Sequence, residues 1–122
     1  MIKILIVDDE IDTSNALKNF LKKRNYDVLV AYNGNDALQK VKMERPHAVI
    51  LDIVMPDMNG VDVLKKIKEI DKEVGVIMVT GLDDVETARE CMKLGAHDYI
   101  TKPFDLDYLE TSLLTKIVNM LG

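Results

Sequence analysis

The sequence predicts an α/β fold: a doubly wound (βα)5 arrangement with a five-stranded parallel sheet. Three observations point there. Short runs rich in Val and Ile alternate with longer segments of helical period. The first, third and fourth of these runs show little polar alternation, as strands covered on both faces should. No linker, repeat or low-complexity tract divides the 122 residues. Strict alternation implies right-handed crossovers and helices on both faces of the sheet. The usual open-sheet order for five such units is 2-1-3-4-5, with ligands at the carboxyl ends of the strands, near the switch point between strands 1 and 3.

The predicted strands are Ile2–Val7, Val28–Tyr32, Ala48–Leu51, Val74–Val79 and Tyr99–Ile100. The segments between them read as helices. Ala16, Leu17, Phe20 and Leu21 recur at helical spacing after Asp12 and Thr13, which are placed to cap a first turn. Ala37, Leu38 and Val41 follow Asn33-Gly34, and Val61, Leu64 and Ile67 follow Asn59-Gly60. Val85, Ala88 and Met92 follow Asp83-Asp84, with Gly95 suited to stop that helix. Cys91 lies beside Ala88 and Met92 on the same inner side, as a small buried thiol. Leu106, Leu109, Leu113, Ile117 and Met120 form the stripe of a last helix after Asp105, and Leu114, Val118 and Leu121 widen its apolar arc on one flank.

Composition narrows the function. The chain is 48% hydrophobic and 30% charged, with a formal net charge of −5. A general nucleic-acid surface would need a basic patch, so direct nucleic-acid binding is not expected. One cysteine allows no internal disulfide. No apolar run approaches the roughly 20 residues of a membrane span, and the start of the chain does not read as a signal peptide. The expectation is a single domain over residues 1–122, cytoplasmic, with no membrane association.

Polar groups gather at the predicted carboxyl edge. Asp8 and Asp9 end strand 1, Asp52 ends strand 3, Thr80 ends strand 4 and Lys102 follows strand 5. Three carboxylates converging on one crevice repel one another, and a divalent cation would remove the conflict. Oxygen-only ligands favour Mg²⁺ over zinc. With a phosphoryl group added, Asp52 can act as a nucleophile and form an acyl phosphate. The metal and a lysine would then neutralise the transferring oxygens, and Thr80 could donate to one of them. Taken singly, each residue has a plainer role: Asp9 a helix cap, Thr80 a strand residue, Lys102 a surface lysine. His47 and His97 stand at the starts of strands, away from this edge, and are read as structural.

The residues that carry this edge also resemble a known family. Ile4-Leu5-Ile6-Val7-Asp8-Asp9-Glu10, the segment Leu51–Gly60 with Pro56 and Gly60, Val79-Thr80-Gly81, and Gly95–Phe104 with Lys102-Pro103 together resemble the receiver domain of bacterial two-component response regulators. The resemblance covers essentially the whole chain and implies the flavodoxin-like, CheY-like version of the fold. It implies that Asp52 accepts a phosphoryl group from a phosphohistidine on a sensor histidine kinase or phosphotransfer protein. It also implies that Asp9, Asp52 and the backbone carbonyl of Val54 bind Mg²⁺ (or Mn²⁺), with Asp8 acting largely through water. Thr80 and Lys102 would contact the phosphoryl oxygens, Tyr99 would be the switch aromatic that moves with Thr80, and Lys102–Pro103 would be cis. A partner or homodimer surface is expected on helix 4, strand 5 and helix 5.

Such a domain is a switch that catalyses only its own phosphorylation and dephosphorylation. One rival is a Mg²⁺-dependent phosphatase with an aspartyl nucleophile, which would want a second acid two residues after Asp52, where Val54 stands. Another is an unphosphorylated scaffold of the same fold, although neither the acids nor the lysine are missing. A flavin-binding protein is a weaker third, because no Ser/Thr/Gly-rich loop follows strand 1.

Overall fold

A computed structural model describes residues 1–121 of the chain. Strands and helices alternate: β1 (Lys3–Val7), α1 (Ile11–Lys22), β2 (Asp27–Ala31), α2 (Gly34–Glu44), β3 (Ala48–Leu51), α3 (Gly60–Ile70), β4 (Gly75–Thr80), α4 (Val85–Lys93), β5 (Asp98–Thr101) and α5 (Leu106–Leu121). All strand pairs are parallel and the order is β2-β1-β3-β4-β5, as predicted. Each strand lies within about one residue of its sequence-based bounds, the usual uncertainty at element ends.

The period of two along each strand divides the core. Leu5, Val7, Val49, Leu51, Val76 and Met78 face one side, against Ala37 and Val41 of α2, Val63, Leu64 and Ile67 of α3, and Cys91 of α4. Ile4, Ile6, Ala48, Ile50, Ile77, Val79 and Ile100 face the other, against Leu17 and Leu21 of α1 and Leu109, Leu113 and Ile117 of α5. Because β1, β3 and β4 are covered on both faces, every residue of β3 and β4 is buried. Cys91 is buried and free.

Two helix readings need correction. Helix α1 starts at Ile11, with Glu10 in the cap position and no side-chain cap, so Asp12 and Thr13 lie inside the first turn. Its inner row is Ser14, Leu17 and Leu21, and Ala16 is exposed. The Ser14 hydroxyl donates to the Asp8 carbonyl at 3.1 Å, which lets a polar residue occupy the inner position. In α4 the buried residue is Cys91, while Val85 and Met92 are 63% and 47% exposed. Cys91 lies inside, where the sequence placed it, whereas Val85 and Met92, read on the same side, turn toward solvent.

Turn chemistry follows the sequence elsewhere. The Asn33 side chain accepts from the Asp36 N–H, and that of Asn59 accepts from the Val61 N–H, capping α2 and α3. Gly95 has a φ of +102°, the left-handed conformation expected where α4 stops. Lys102–Pro103 is cis, as the resemblance implied.

Gly60 closes the loop that leaves β3. Its N–H donates to the Ile53 carbonyl at 2.8 Å. A Cβ at this position would collide with the Asp52 carbonyl oxygen and the Ile53 Cα, both main-chain atoms. Alanine is favoured over glycine within a helix by at most about 1 kcal/mol. Forced overpacking costs about 1–3 kcal/mol, and rigid backbone neighbours put this case at the upper end. Gly60→Ala is therefore expected to lower the unfolding free energy in urea denaturation. A midpoint equal to or above that of the parent would show that the loop yields freely.

Candidate functional site

The strand ladder carries its end residues to one edge. The Asp8 N–H donates to the Ala31 carbonyl at 3.1 Å, the Asp52 N–H to Val7 at 3.0 Å, and the Lys102 N–H to Thr80 at 2.8 Å. Each residue after β1, β3 and β5 is thus held in line with its strand, and their side chains meet above the carboxyl ends.

Lys102 stands at the centre of the group. Its Nζ donates to Asp8 Oδ2 at 2.9 Å, Glu10 Oε1 at 3.0 Å and Asp52 Oδ2 at 3.1 Å. Asp8 and Asp52 are only 3% and 5% exposed. Their second oxygens are held as well: Asp8 Oδ1 accepts from the Glu10 N–H at 2.9 Å, and Asp52 Oδ1 from the Val54 N–H at 3.1 Å. Burial alone would push the Lys102 ammonium down, but hydrogen bonds to Asp8, Glu10 and Asp52 hold it well above the usual lysine range. Burial pushes the Asp8 carboxyl up, against the opposing pull of the Glu10 N–H and Lys102. The two shifts are compatible. One ammonium faces three carboxylates, so it is held firmly while the most enclosed acid remains only partly compensated.

Oxygens of Asp8, Glu10 and Asp52 lie within 4.8 Å of one another. Carboxylate oxygens, excess negative charge and the open rim at Glu10 suit a hard divalent cation that keeps part of its water. The donor set therefore fits Mg²⁺. Asp9 is exposed and lies outside this close group, whereas Glu10 belongs to it. Sequence reasoning passed over Glu10, although it completes the acidic run Asp8-Asp9-Glu10; its place two residues beyond Asp8 was the available signal.

Thr80 is fully buried beneath the site, and its hydroxyl oxygen accepts from the Leu82 N–H at 3.3 Å. The Tyr99 hydroxyl donates to the Leu82 carbonyl at 2.6 Å. The two expected switch residues therefore hold opposite sides of one residue's backbone. Val54 and Leu82 are 63% and 38% exposed at the start of the loops after β3 and β4.

The histidines lie elsewhere. His47 Nδ1 accepts from the Lys3 N–H at 3.0 Å, and His97 Nε2 is 3.0 Å from the Ser112 carbonyl. His47 ties the starts of β1 and β3 together, and His97 ties the start of β5 to the middle of α5, in agreement with their structural reading.

The chain matches the family model described as the response regulator receiver domain over residues 4–114. It is 38% identical to sporulation initiation phosphotransferase F of Bacillus subtilis over 111 residues, covering 91% of this chain and 90% of that protein. It is also 38% identical to the transcriptional regulatory protein CrdR of Helicobacter pylori over 112 residues, 91% of this chain but 53% of CrdR. The chain spans about half of CrdR and a quarter of the ZraR regulators that it also matches. Among solved structures, a CheY-like receiver domain protein from Methanospirillum hungatei superposes with a TM-score of 0.95 at 30% identity, covering 98% of this chain and 96% of the other.

The charge arrangement predicts how the site responds to loss of its lysine. Lys102→Ala leaves two enclosed acids without a counter-charge. Breaking a fully buried pair costs about 3–5 kcal/mol, and the open rim at Glu10 should reduce this to about 2 kcal/mol. Mg²⁺ at about 100 times its dissociation constant should stabilise the parent by about 2.7 kcal/mol through mass action. At matched Mg²⁺ concentration the gain should be larger in Lys102→Ala, where no ammonium competes for the acids. Chemical denaturation with and without Mg²⁺ tests both points; a parent indifferent to Mg²⁺, or a smaller gain in the variant, would contradict this account.

Proposed function

The chain belongs to the response regulator receiver domain family, and on that premise we propose that Asp52 is the residue it uses as phosphoryl acceptor. Receiver domains are phosphorylation-activated switches of two-component signalling, generally not enzymes toward other substrates, and they bind Mg²⁺ at an acidic pocket. The observation that carries the assignment is the Lys102 ammonium, 3.1 Å from Asp52 and 2.9 Å from Asp8. It makes Asp52, like Asp8, an enclosed carboxylate beside a fixed positive charge, and the segment Leu51–Gly60 with Pro56 and Gly60 singles out Asp52 of the two.

In the proposed reaction an Asp52 carboxylate oxygen attacks the phosphorus of a phosphohistidine on a histidine kinase or phosphotransfer protein. The O–P bond forms, the N–P bond breaks, and its electron pair returns to the imidazole. Lys102 follows the transferred group by exchanging an Asp52 oxygen for a phosphoryl oxygen. Thr80 donates its hydroxyl proton to another, a capacity left free while its oxygen accepts from the Leu82 N–H. The metal ligands proposed are Asp9, Asp52 and the Val54 carbonyl, with Asp8 acting through water and Glu10 as an additional acid. Mg²⁺ bound there would supply positive charge to the transferring oxygens. Val54 has no proton to give a leaving group, which disfavours the phosphatase reading. A cytoplasmic location would go with such a donor; no described helix is long and apolar enough to cross a membrane.

The output surface is proposed to lie on α4, β5 and α5. Leu114, Val118 and Leu121 are 44%, 63% and 72% exposed along one flank of α5, and Val85 and Met92 are exposed on α4. Tyr99 lies on β5 and its hydroxyl is bonded to the loop after β4. A change at Thr80 can therefore reach that surface through Leu82. A homodimer is the simplest use of the apolar flank.

Three measurements test the proposal. With Mg²⁺ and acetyl phosphate, mass spectrometry should find one base-labile phosphoryl group, absent from Asp52→Asn; equal labelling of both would sink the assignment. The apolar side chains of Val54 and Leu82 offer an attacking water no hydrogen bond, so decay should be slow. Val54→Asn with Leu82→Glu should accelerate it by up to about 100-fold, the scale that positioning a reactant carries, and an unchanged decay would show that these side chains do not govern water access. For the output surface, Leu114→Glu with Val118→Glu should abolish phosphorylation-dependent self-association in sedimentation. Equal association of that double variant would clear this flank, and a parent that is monomeric in both states would remove the dimer.

A further inference from the structure

The loop that leaves β3 is tied to a second helix. Asp57, in the middle of that loop, accepts from the Gly34 N–H through Oδ1 at 2.8 Å and from the Asn35 N–H through Oδ2 at 3.1 Å. Those are the first two amides of α2, a segment that joins β2 to β3. Asn33 takes the third amide, Asp36, so the exposed N–H groups of this helix end are shared between its own cap and a carboxylate reaching from the other loop. The amides of Gly34 and then Asn35 hold the Asp57 carboxyl below its ordinary range, as expected for a carboxylate on a helix N-terminus.

The packing is built around the same contact. A Cβ on Gly34 would come within 2.9 Å of Met58 Sδ and 3.0 Å of Met58 Cβ, so α2 and the loop approach as closely as glycine allows. At its base the loop is closed by the Gly60 N–H on the Ile53 carbonyl. Val54 lies between this closure and the Asp57 clamp, and its N–H is already bonded to Asp52 Oδ1. The backbone on either side of Val54 is therefore fixed at three points: Asp52, Gly60 and α2.

We propose that Asp57 is a positioning residue for the metal and phosphoryl site: its bidentate hold on Gly34 and Asn35 fixes the loop so that the Val54 carbonyl is presented toward Asp52. This inference rests on the site reading given above. It also makes the α2 N-terminus sensitive to what the site binds. If holding the loop favours the metal, then the metal favours the hold, by reciprocity of linked equilibria.

A bare helix cap would behave differently, and the test separates the two. The probe is Mg²⁺ alone, titrated by calorimetry into the parent, Asp57→Ala, Asp57→Asn and Asp52→Asn. Asp57→Ala should weaken Mg²⁺ binding about tenfold, the lower range for an outer hydrogen-bond partner of a metal ligand. Asp57→Asn, which keeps one acceptor oxygen, should recover part of the loss. In the parent, saturating Mg²⁺ should slow hydrogen exchange at the Gly34 and Asn35 amides, and this slowing should vanish in Asp57→Ala. A destabilised Asp57→Ala that binds Mg²⁺ within about twofold of the parent, with Mg²⁺-indifferent exchange in the parent, would overturn the proposal and leave Asp57 as a cap, since linkage requires both effects or neither. A parent that binds no Mg²⁺, or binds it no better than Asp52→Asn, would instead overturn the site reading and this inference with it.

Discussion

Enclosing like charges at one edge of a sheet is the constraint on which the other features of the site depend. Asp8 and Asp52 are nearly sealed from water, and neither could stay ionised there alone without a large desolvation cost. Lys102 makes the arrangement tenable, reaching from the far strand to acids that lie 94 and 50 residues away in the chain. The parallel sheet is what allows this: only when β1, β3 and β5 run the same way do their carboxyl ends share an edge. The compensation is incomplete by design of the charges, one ammonium to three carboxylates. On the proposed reading, that residual negative charge would favour a cation first and, with the cation, an anionic phosphoryl group.

The sheet was legible in the sequence because its central strands are covered on both faces. Ile4–Val7, Ala48–Leu51 and Val76–Val79 have no solvent side to mark with polar residues, so they stand out as apolar runs. The helices were legible in position but less so in orientation. Ser14 occupies an inner place on α1 where the apolar spacing put Ala16; on α4, Cys91 is inner as read, but Val85 and Met92, read on the same side, are exposed. Ser14 can sit inside because its hydroxyl finds the Asp8 carbonyl, a tertiary contact that one-dimensional periodicity does not contain. At the site, Asp8, Asp52, Thr80 and Lys102 could be named in advance because each closes a strand. Glu10 was signalled only by its place in the acidic run, its bond to Lys102 being tertiary, and Asp57 not at all, since it is first seen through two amides of a helix more than 20 residues distant.

The two sides of the site differ in how firmly they are held. After β3, the loop is closed by Gly60, tied to Asp52 through Val54, and clamped to α2 by Asp57. After β4, residues Gly81 through Glu86 are all exposed, and a Cβ on Gly81 would meet nothing within 4 Å. What holds that second loop near the site is the Leu82 backbone, accepting from Tyr99 and donating to Thr80.

On the proposed reading of Thr80 and Tyr99 as the switch, that asymmetry assigns its mobile part. If a phosphoryl group on Asp52 turned the Thr80 hydroxyl toward itself, the contact to yield would be the 3.3 Å bond from the Leu82 N–H, the long one of the pair that holds this loop. The Tyr99 hydroxyl then loses the fixed position of its acceptor, and its ring borders an apolar recess formed by Val85, Ala88 and Met92 of α4. Moving the β3 side instead would mean breaking two charge-assisted hydrogen bonds at Asp57 and the packing of Met58 on Gly34. The cheaper displacement is the one that travels through Leu82 to α4 and β5, so the same local bonding that makes one loop a rigid platform leaves the other as the element able to move.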